Sequence, residues 1–146
     1  IEEANYIYFG NSNNLEDQNP RKYIKMNGRK IYNFALTNVP KAMKSCLEDS
    51  GYDIKDLKKI LIHQANEKMD EAIVKRFYGL YDMQAPQDIM PMTINTLGNS
   101  SVATVPTLYD LIVNNNMEGH SINKGDLIMF ASVGAGMNIN AMVYKA

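Results

Sequence analysis

The sequence predicts an α/β fold in which helices cover a mixed sheet whose last two strands are antiparallel. Three observations favour this fold class. The apolar, β-branched run at residues 60–62 is typical of a buried strand. A helical apolar pattern over residues 67–78 follows it. Near the end of the chain, two alternating runs flank Gly134-Ala135-Gly136, which predicts an antiparallel hairpin at a sheet edge.

In the first part of the chain, the sequence predicts few elements of the core. Residues 5–9 form a short extended segment, and residues 10–22 are polar and rich in turn-forming residues, so we expect a loop there. Residues 23–26 alternate and predict another strand or an extended arm. We therefore treat residues 1–22 as a loop-rich lead-in to a single domain that covers residues 1–146.

A long helix is predicted from Asn27-Gly28 to Ser50, because apolar residues recur there at three-to-four spacing. Pro40 lies inside this pattern and should kink the helix, unless the helix breaks between Thr37 and Lys41. Gly51 directly follows Ser50 and supplies a stop signal.

The core elements are predicted to alternate in the order β-α-β-α-β-β. Asn66 is a candidate cap for the helix at residues 67–78, and Gly79 ends that helix. The predicted strands and the remaining helix are residues 59–62, a short strand at 92–94, a helix at 102–114, and strands at 126–132 and 138–144. This order predicts a three-layer domain.

Composition excludes several classes of protein. The chain has 146 residues, 45% of them hydrophobic, and a net charge of −1, values typical of a globular domain with no general attraction to nucleic acid. No apolar run approaches the ~20 residues of a membrane-spanning helix. The single cysteine, Cys46, excludes an internal disulfide and fits a reducing compartment. Because the chain starts at Ile1 without an initiator methionine, we expect it to be the C-terminal part of a longer protein.

Polar groups follow three consecutive predicted strands. They are His63 with Asn66, Asn99, and the turn around Ala135. Ligands of open α/β sheets collect outside the carboxyl ends of strands, so we expect one shared crevice. A neutral imidazole and a carboxamide offer two donors to one carbonyl oxygen, which suits stabilisation of an enolate. The alternatives remain a structural histidine at a strand end and an ordinary Asn-Gly turn.

These motifs together resemble a known family. The chain reads His63-Gln64-Ala65-Asn66, then Gly98-Asn99-Ser100-Ser101, then Gly134-Ala135-Gly136, with Met26-Asn27-Gly28 upstream. In this order they resemble the C-terminal half of a 3-oxoacyl-(acyl-carrier-protein) synthase III, one of the thiolase-fold condensing enzymes. The resemblance covers residues 23–146 and implies a thiolase-like C-terminal half.

The resemblance implies a reaction and the residues that carry it. These enzymes take an acyl group from acyl-CoA onto a cysteine and condense it with malonyl-acyl carrier protein in fatty-acid biosynthesis, with no cofactor beyond those substrates. His63 and Asn99 match the pair that stabilises the enolate, and the backbone N–H of Ala135 matches the oxyanion hole, although the family usually has glycine there. The positions that match the pantetheine contacts are Gly28, Tyr32 and Asn66.

The resemblance also implies partners. Lys68, Lys75 and Arg76 match basic positions that dock the acyl carrier protein, and their spacing places them on one helix face. The alternative is a solvated helix surface. The family further implies a cytoplasmic homodimer without nucleic-acid, membrane or metal partners.

The nucleophile is not evident in this sequence. The family's cysteine belongs to its N-terminal half, and Cys46 lies within the long helical pattern, so we expect this chain alone to be inactive. Two alternatives remain open. One is a non-catalytic relative that binds CoA or carrier protein, and the other is a different thiolase-fold acyltransferase, of the polyketide or hydroxymethylglutaryl-CoA synthase type.

Overall fold

The computed structural model describes residues 2–146. Within them the helices and strands follow one another as β1 (Ile7–Gly10), β2 (Tyr23–Met26), α1 (Gly28–Ser50), β3 (Leu57–Ile62), α2 (Glu67–Gly79), α3 (Ile94–Leu97), α4 (Thr104–Val113), β4 (Leu127–Val133) and β5 (Ile139–Lys145), and short 3-10 turns lie at Glu2–Tyr6, Ile54–Asp56, Ser101–Ala103 and Ala135–Met137.

The lead-in contains a small sheet. β1 and β2 pair in antiparallel fashion, with Ile7 opposite Met26, so the extended segments predicted at residues 5–9 and 23–26 belong to one hairpin. The loop between them contains the predicted polar stretch. Ile1, which falls in the predicted lead-in, lies outside the described residues.

The main sheet of the described chain has the order β3-β4-β5. β3 and β4 are parallel, and β5 is antiparallel to β4 at the edge of the sheet. The predicted fold class, a mixed α/β sheet with antiparallel end strands, is therefore confirmed. The hairpin of β4 and β5 was predicted from alternation and the glycine-rich turn, and it lies where that pattern indicated.

Helices cover both faces of this sheet because apolar side chains alternate along its strands. Ile60 and Ile62 pack on one face in a core shared with α1 and α2. Leu61 points to the opposite face, where it packs with Leu108 and Ile112 of α4. The three predicted layers are thus present. Among residues 2–146, every helix is too short or too polar to span a membrane.

Both ends of α1 match the sequence signals. The Asn27 side chain accepts a hydrogen bond of 3.2 Å from the backbone N–H of Lys30 and caps the helix. Gly51 ends it in the left-handed conformation, with φ of 75°, which favours glycine. The helix continues through Pro40, which is buried within it. Of the two predicted outcomes at Pro40, a break in the helix is excluded.

The strand predicted at residues 92–94 is wrong. Residues 92 and 93 have no regular structure, and Ile94 begins the short helix α3. The reason is the fully buried side chain of Gln64. Its Nε2 donates to the carbonyl oxygen of Pro91 at 2.8 Å, and its Oε1 accepts from the backbone N–H of Thr93 at 2.8 Å. A side-chain amide therefore makes the hydrogen bonds that a neighbouring strand would have made.

Candidate active site

His63 directly follows β3 and is held by the sheet. Its backbone N–H donates to the carbonyl oxygen of Ala131 on β4 at 2.9 Å, which extends the pairing of the two strands by one step. The side chain is half-buried. The imidazole is therefore positioned by the end of a rigid sheet and remains accessible, as the sequence predicted for this residue.

The imidazole of His63 opens onto a cavity of about 690 Å³. Ser101 and Val102 form one side of the cavity, and Gly134 and Ala135 line its end. The hairpin of β4 and β5 supplies further lining residues, at 130–133 and 140–142. The structure thus brings together two of the predicted site residues, His63 and Ala135, in one concave, mainly apolar space.

Burial lowers the pKa of the His63 imidazole below its ordinary value of 6.5, while a hydrogen bond with the backbone of Ser101 partly opposes this shift. At neutral pH the imidazole is consequently uncharged and carries one N–H. A neutral ring in a partly apolar cavity can donate one hydrogen bond to a carbonyl or enolate oxygen.

Asn99 is not among the residues that line the cavity within the described chain. Its side chain is exposed, and its Oδ1 accepts a hydrogen bond of 2.9 Å from the backbone N–H of Ser101. Ser101 has an unusual positive φ of 54° and itself lines the cavity. The bond fixes the orientation of the carboxamide so that its Nδ2, a donor, faces away from Ser101.

The turn after β4 has alanine at position 135, where the sequence resemblance led us to expect glycine. Ala135 is absent from the described residues with positive φ, whereas its neighbour Gly136 has a φ of 74°. The position that requires glycine is therefore Gly136, and Ala135 lines the cavity without backbone strain and retains its N–H.

The three positions predicted to contact pantetheine do not line the His63 cavity among the described residues. Asn66 caps α2, since its side chain accepts from the backbone N–H of Met69 at 3.1 Å. Gly28 lines a separate cavity of about 460 Å³ beside the first turn of the chain. Tyr32 lies one turn further along α1, and 40% of its surface is exposed. The predicted cap at Asn66 is confirmed.

The three basic residues predicted to dock a carrier protein differ in their surroundings. Lys68 and Lys75 are exposed on α2. Arg76 instead reaches across to α1, where its Nη1 donates to the carbonyl oxygen of Leu36 at 3.0 Å. Lys68 and Lys75 are thus available to an acidic partner, whereas Arg76 also joins two helices.

Sequence reasoning missed several residues that shape the cavity. Ser132 of β4 and Asn140 of β5 are opposite each other in the hairpin and both line the cavity. Phe130 and Met142 form the next such pair. The period-two alternation of both strands is the signal that could have placed these four side chains on the face that carries the site.

Comparison with known proteins agrees with the predicted family and fold. Residues 47–146 match the family described as 3-oxoacyl-[acyl-carrier-protein (ACP)] synthase III C terminal. A beta-ketoacyl-[acyl-carrier-protein] synthase III of Levilactobacillus brevis is 29% identical over 123 residues, which are 84% of this chain and 35% of that protein. The chain thus spans about a third of the length of such relatives.

Solved structures share the fold. The beta-ketoacyl-[acyl carrier protein] synthase III of Thermus thermophilus superposes with a TM-score of 0.79 at 23% identity, covering 99% of this chain and 43% of that one. The priming beta-ketosynthase of the R1128 polyketide pathway also gives a TM-score of 0.79, at 21% identity, covering 99% of this chain and 41% of that one. These likenesses confirm the predicted thiolase-like half. Since the family match extends over more than half of the sequence, the chain belongs to the C-terminal family of the 3-oxoacyl-[acyl-carrier-protein] synthases III.

Proposed function

We propose that this chain forms the C-terminal half of a condensing enzyme. The enzyme would join an acyl group derived from acyl-CoA to malonyl-acyl carrier protein, with loss of CO2, in fatty-acid biosynthesis. The observation that carries this proposal is the neutral imidazole of His63, held at the end of β3 and facing a cavity that Ala135 also lines. This arrangement suits an enolate, which needs donors rather than a strong base.

In this reaction His63 stabilises negative charge. When the malonyl thioester loses CO2, the electron pair of the broken C–C bond moves onto the thioester carbonyl oxygen and forms an enolate. An N–H of the imidazole then donates to that oxygen, in competition with the backbone of Ser101. Hydrogen bonding to developing charge in a partly apolar cavity is the main source of acceleration for such steps.

Asn99 supplies the second donor. Because its Oδ1 is held by the N–H of Ser101, the Nδ2 group is the part of the carboxamide that remains to donate. A rearrangement of the loop between α3 and α4 would have to direct it toward the enolate oxygen that His63 binds. Ser101 would thus couple the two donors, since it contacts the side chains of both.

Ala135 contributes through its backbone. When the carbanion carbon of the enolate attacks the acyl thioester of the enzyme, the acyl carbonyl oxygen gains negative charge. A backbone N–H at the wall of the cavity stabilises that oxyanion. The negative φ region at Ala135 and the positive φ of Gly136 let the turn present this N–H while carrying a methyl group at position 135.

The nucleophile has to come from outside these 146 residues. Cys46, the single cysteine, lies within α1, and it is not among the described residues that line the His63 cavity. We therefore propose that the chain alone has no condensing activity. Acyl transfer needs a cysteine supplied by an N-terminal half, which fits a chain that spans about a third of its relatives.

The partners follow from the same reaction. We propose that the exposed ammonium groups of Lys68 and Lys75 bind the acidic acyl carrier protein, with a smaller contribution from Arg76. Gly28, Tyr32 and Asn66 remain proposed contacts of the pantetheine arm. The proposal includes a cytoplasmic homodimer that uses no cofactor other than its thioester substrates. Nucleic acid and membranes are not proposed as partners.

A polyketide-priming enzyme is a second candidate, because a priming ketosynthase superposes as well as a fatty-acid enzyme does. The reaction at His63 would be the same, but the primer or the acceptor would differ. A hydroxymethylglutaryl-CoA synthase type of reaction and a non-catalytic binding protein are the remaining alternatives.

The test is analysis of products by mass spectrometry. The chain, joined to its N-terminal half, is incubated with acetyl-CoA and either malonyl-acyl carrier protein or malonyl-CoA. The proposal expects an acetoacetyl product on the carrier protein, and the chain alone should give none. Condensation on malonyl-CoA in place of the carrier protein would favour the alternative acyltransferases. Binding of the carrier protein with no product would favour the non-catalytic alternative.

A further inference from the structure

Lys59 and His120 form a close pair outside the His63 cavity. The Nζ of Lys59, on β3, lies 3.1 Å from the Nδ1 of His120 in the loop before β4. The same Nζ donates to the backbone carbonyl oxygen of Asp88 at 2.7 Å. A primary amine beside an imidazole is a nucleophile next to a general base, which is the arrangement that activates nucleophiles in enzymes.

The surroundings favour the uncharged amine. The ion pairs of residues 2–146 join Lys30 to Glu2 and Lys44 to Glu48, and Lys59 takes part in none of them. Burial lowers the pKa of Lys59, an effect that the charges of Asp88 and Asp126 oppose. The population of neutral amine at a given pH is therefore larger than for an exposed lysine.

The imidazole is also kept uncharged. Burial lowers the pKa of His120, the charge of Lys59 lowers it further, and the charge of Asp88 opposes both effects. A neutral imidazole with an unprotonated Nδ1 accepts a hydrogen bond from Lys59 and can later accept its proton. Burial therefore shifts both groups toward the uncharged forms that nucleophilic attack requires.

The hydrogen bonds also direct the lone pair. A neutral amine has two N–H groups, and the structure gives it two acceptors, the Asp88 carbonyl oxygen and the His120 Nδ1. With both N–H groups engaged, the lone pair of a tetrahedral nitrogen points away from both acceptors. Lys59 is partly exposed, so the amine is accessible to an electrophile from solvent.

We propose that Lys59 is an acylation site that takes acyl groups from acyl-CoA thioesters. The Nζ lone pair attacks the thioester carbonyl carbon, an N–C bond forms, and the C–S bond breaks. The CoA thiolate leaves, and the proton lost from Nζ passes to His120 and then to solvent, where the thiolate is protonated. The product is an uncharged amide at Lys59. The choice of acyl-CoA as the acyl donor rests on the proposed function, whereas the attack by Lys59 itself does not require the reaction at His63.

The neighbouring residue is a matched control within the same strand. Lys58 is exposed and directly precedes Lys59, at the irregularity where the register of β3 with β4 shifts. It belongs to the same peptide region and meets the same reagent, but it lacks the imidazole. Comparing these two lysines therefore measures the combined effect of burial and of the imidazole, which the His120→Gln variant separates.

The experiment incubates the protein with acetyl-CoA and measures acetylation of each lysine over time by peptide mass spectrometry. Lys59 should react about tenfold or more faster than Lys58, because a positioned general base contributes a factor of about 100 or more and partial burial slows access. His120→Gln should reduce the Lys59 rate to that of Lys58 and leave Lys58 unchanged. In denaturing urea the two rates should become equal.

The ratio of the Lys59 rate to the Lys58 rate is measured in the wild-type protein. It therefore tests the inference even if His120→Gln folds poorly. A Lys59 rate no higher than that of Lys58 would overturn the proposal. It would also be overturned if folded His120→Gln kept the wild-type ratio, since the imidazole would then have no part in the reaction.

Discussion

The guanidinium of Arg76 donates a 3.0 Å hydrogen bond to the carbonyl oxygen of Leu36, four residues before Pro40. In a regular helix that carbonyl would accept from the N–H of residue 40, but proline has none. The side chain of Arg76 therefore replaces a hydrogen bond missing from α1 and ties α2 to α1 at the same point. This relationship allows α1 to continue through a buried proline.

We predict that Arg76→Ala lowers the free energy of unfolding by about 1 kcal/mol, because it leaves the Leu36 carbonyl without its donor at a partly exposed site. Lys75→Ala, at the neighbouring exposed position, should change it by less than about 0.5 kcal/mol. Urea denaturation measures both. In a Pro40→Ala background the new N–H can bind Leu36, so the effect of Arg76→Ala should shrink. Equal losses in both backgrounds would contradict this role.

Asp70 should make stability depend on pH. It is fully buried, and neither carboxylate oxygen has a hydrogen-bond partner among the described residues. Burial raises the pKa of Asp70 from 3.8 to about 7, so the folded state binds this proton more tightly than the unfolded chain. The stabilisation that comes from this proton on Asp70 is therefore complete below about pH 4. It is lost as the pH rises through about 7.

Asp70→Asn should accordingly raise the free energy of unfolding at pH 8 by about 2–4 kcal/mol, since it removes an uncompensated buried charge. The two proteins should differ little at pH 4. Urea denaturation from pH 4 to pH 8 tests this, with Glu71→Gln as an exposed neighbour for comparison. Parallel pH profiles for wild type and Asp70→Asn would mean that this carboxyl does not titrate as the structure indicates.

Gln64 should be important for the loop that carries Asn99. Gln64→Leu removes the partners of the Pro91 carbonyl and the Thr93 N–H, and we expect a loss of about 2–4 kcal/mol in unfolding free energy. Hydrogen exchange at the Thr93 amide should accelerate as well. The exposed Gln84, changed to leucine, is the control. Unchanged protection at Thr93 would show that this clamp is unnecessary.

The turn at the end of the cavity should distinguish two adjacent small residues. Gly136→Ala should cost about 1 kcal/mol or more, since φ there is 74°. Its new Cβ would also lie 3.0 Å from the Nδ2 of Asn138. Ala135→Gly should have a much smaller effect and keep the backbone N–H. Thermal melting of both variants provides the measurement. Equal losses would contradict the assignment of the left-handed position to Gly136.

Local sequence signals predicted some of these elements, and distant hydrogen bonds determined the others. α2 could be predicted because its cap at Asn66 and its apolar spacing are local signals. The strand expected at residues 92–94 could not be excluded, because the competing hydrogen bonds come from Gln64, 27 residues before Pro91. The partner of Leu36 was equally hidden, since Arg76 lies 40 residues away in sequence.

In the site, too, local patterns predicted some positions and distant contacts determined others. The end of β3 and the glycine-rich turn were predicted from local patterns, and the structure places His63 and Ala135 on one cavity. The position of Asn99 depends on the loop that Gln64 anchors and on the unusual backbone of Ser101. No local sequence pattern specifies that conformation, so its geometry required the structure.

The most direct test of the central claim is the rate of CO2 release from malonyl-acyl carrier protein by the chain joined to its N-terminal half. We predict that His63→Ala and Asn99→Ala each lower this rate by about a hundredfold, the effect of losing one donor to a developing oxyanion. Asn95→Ala, at an exposed position on α3, should leave it unchanged. If the wild type releases no CO2, or if the His63 and Asn99 variants match it, the proposed enolate stabilisation is wrong.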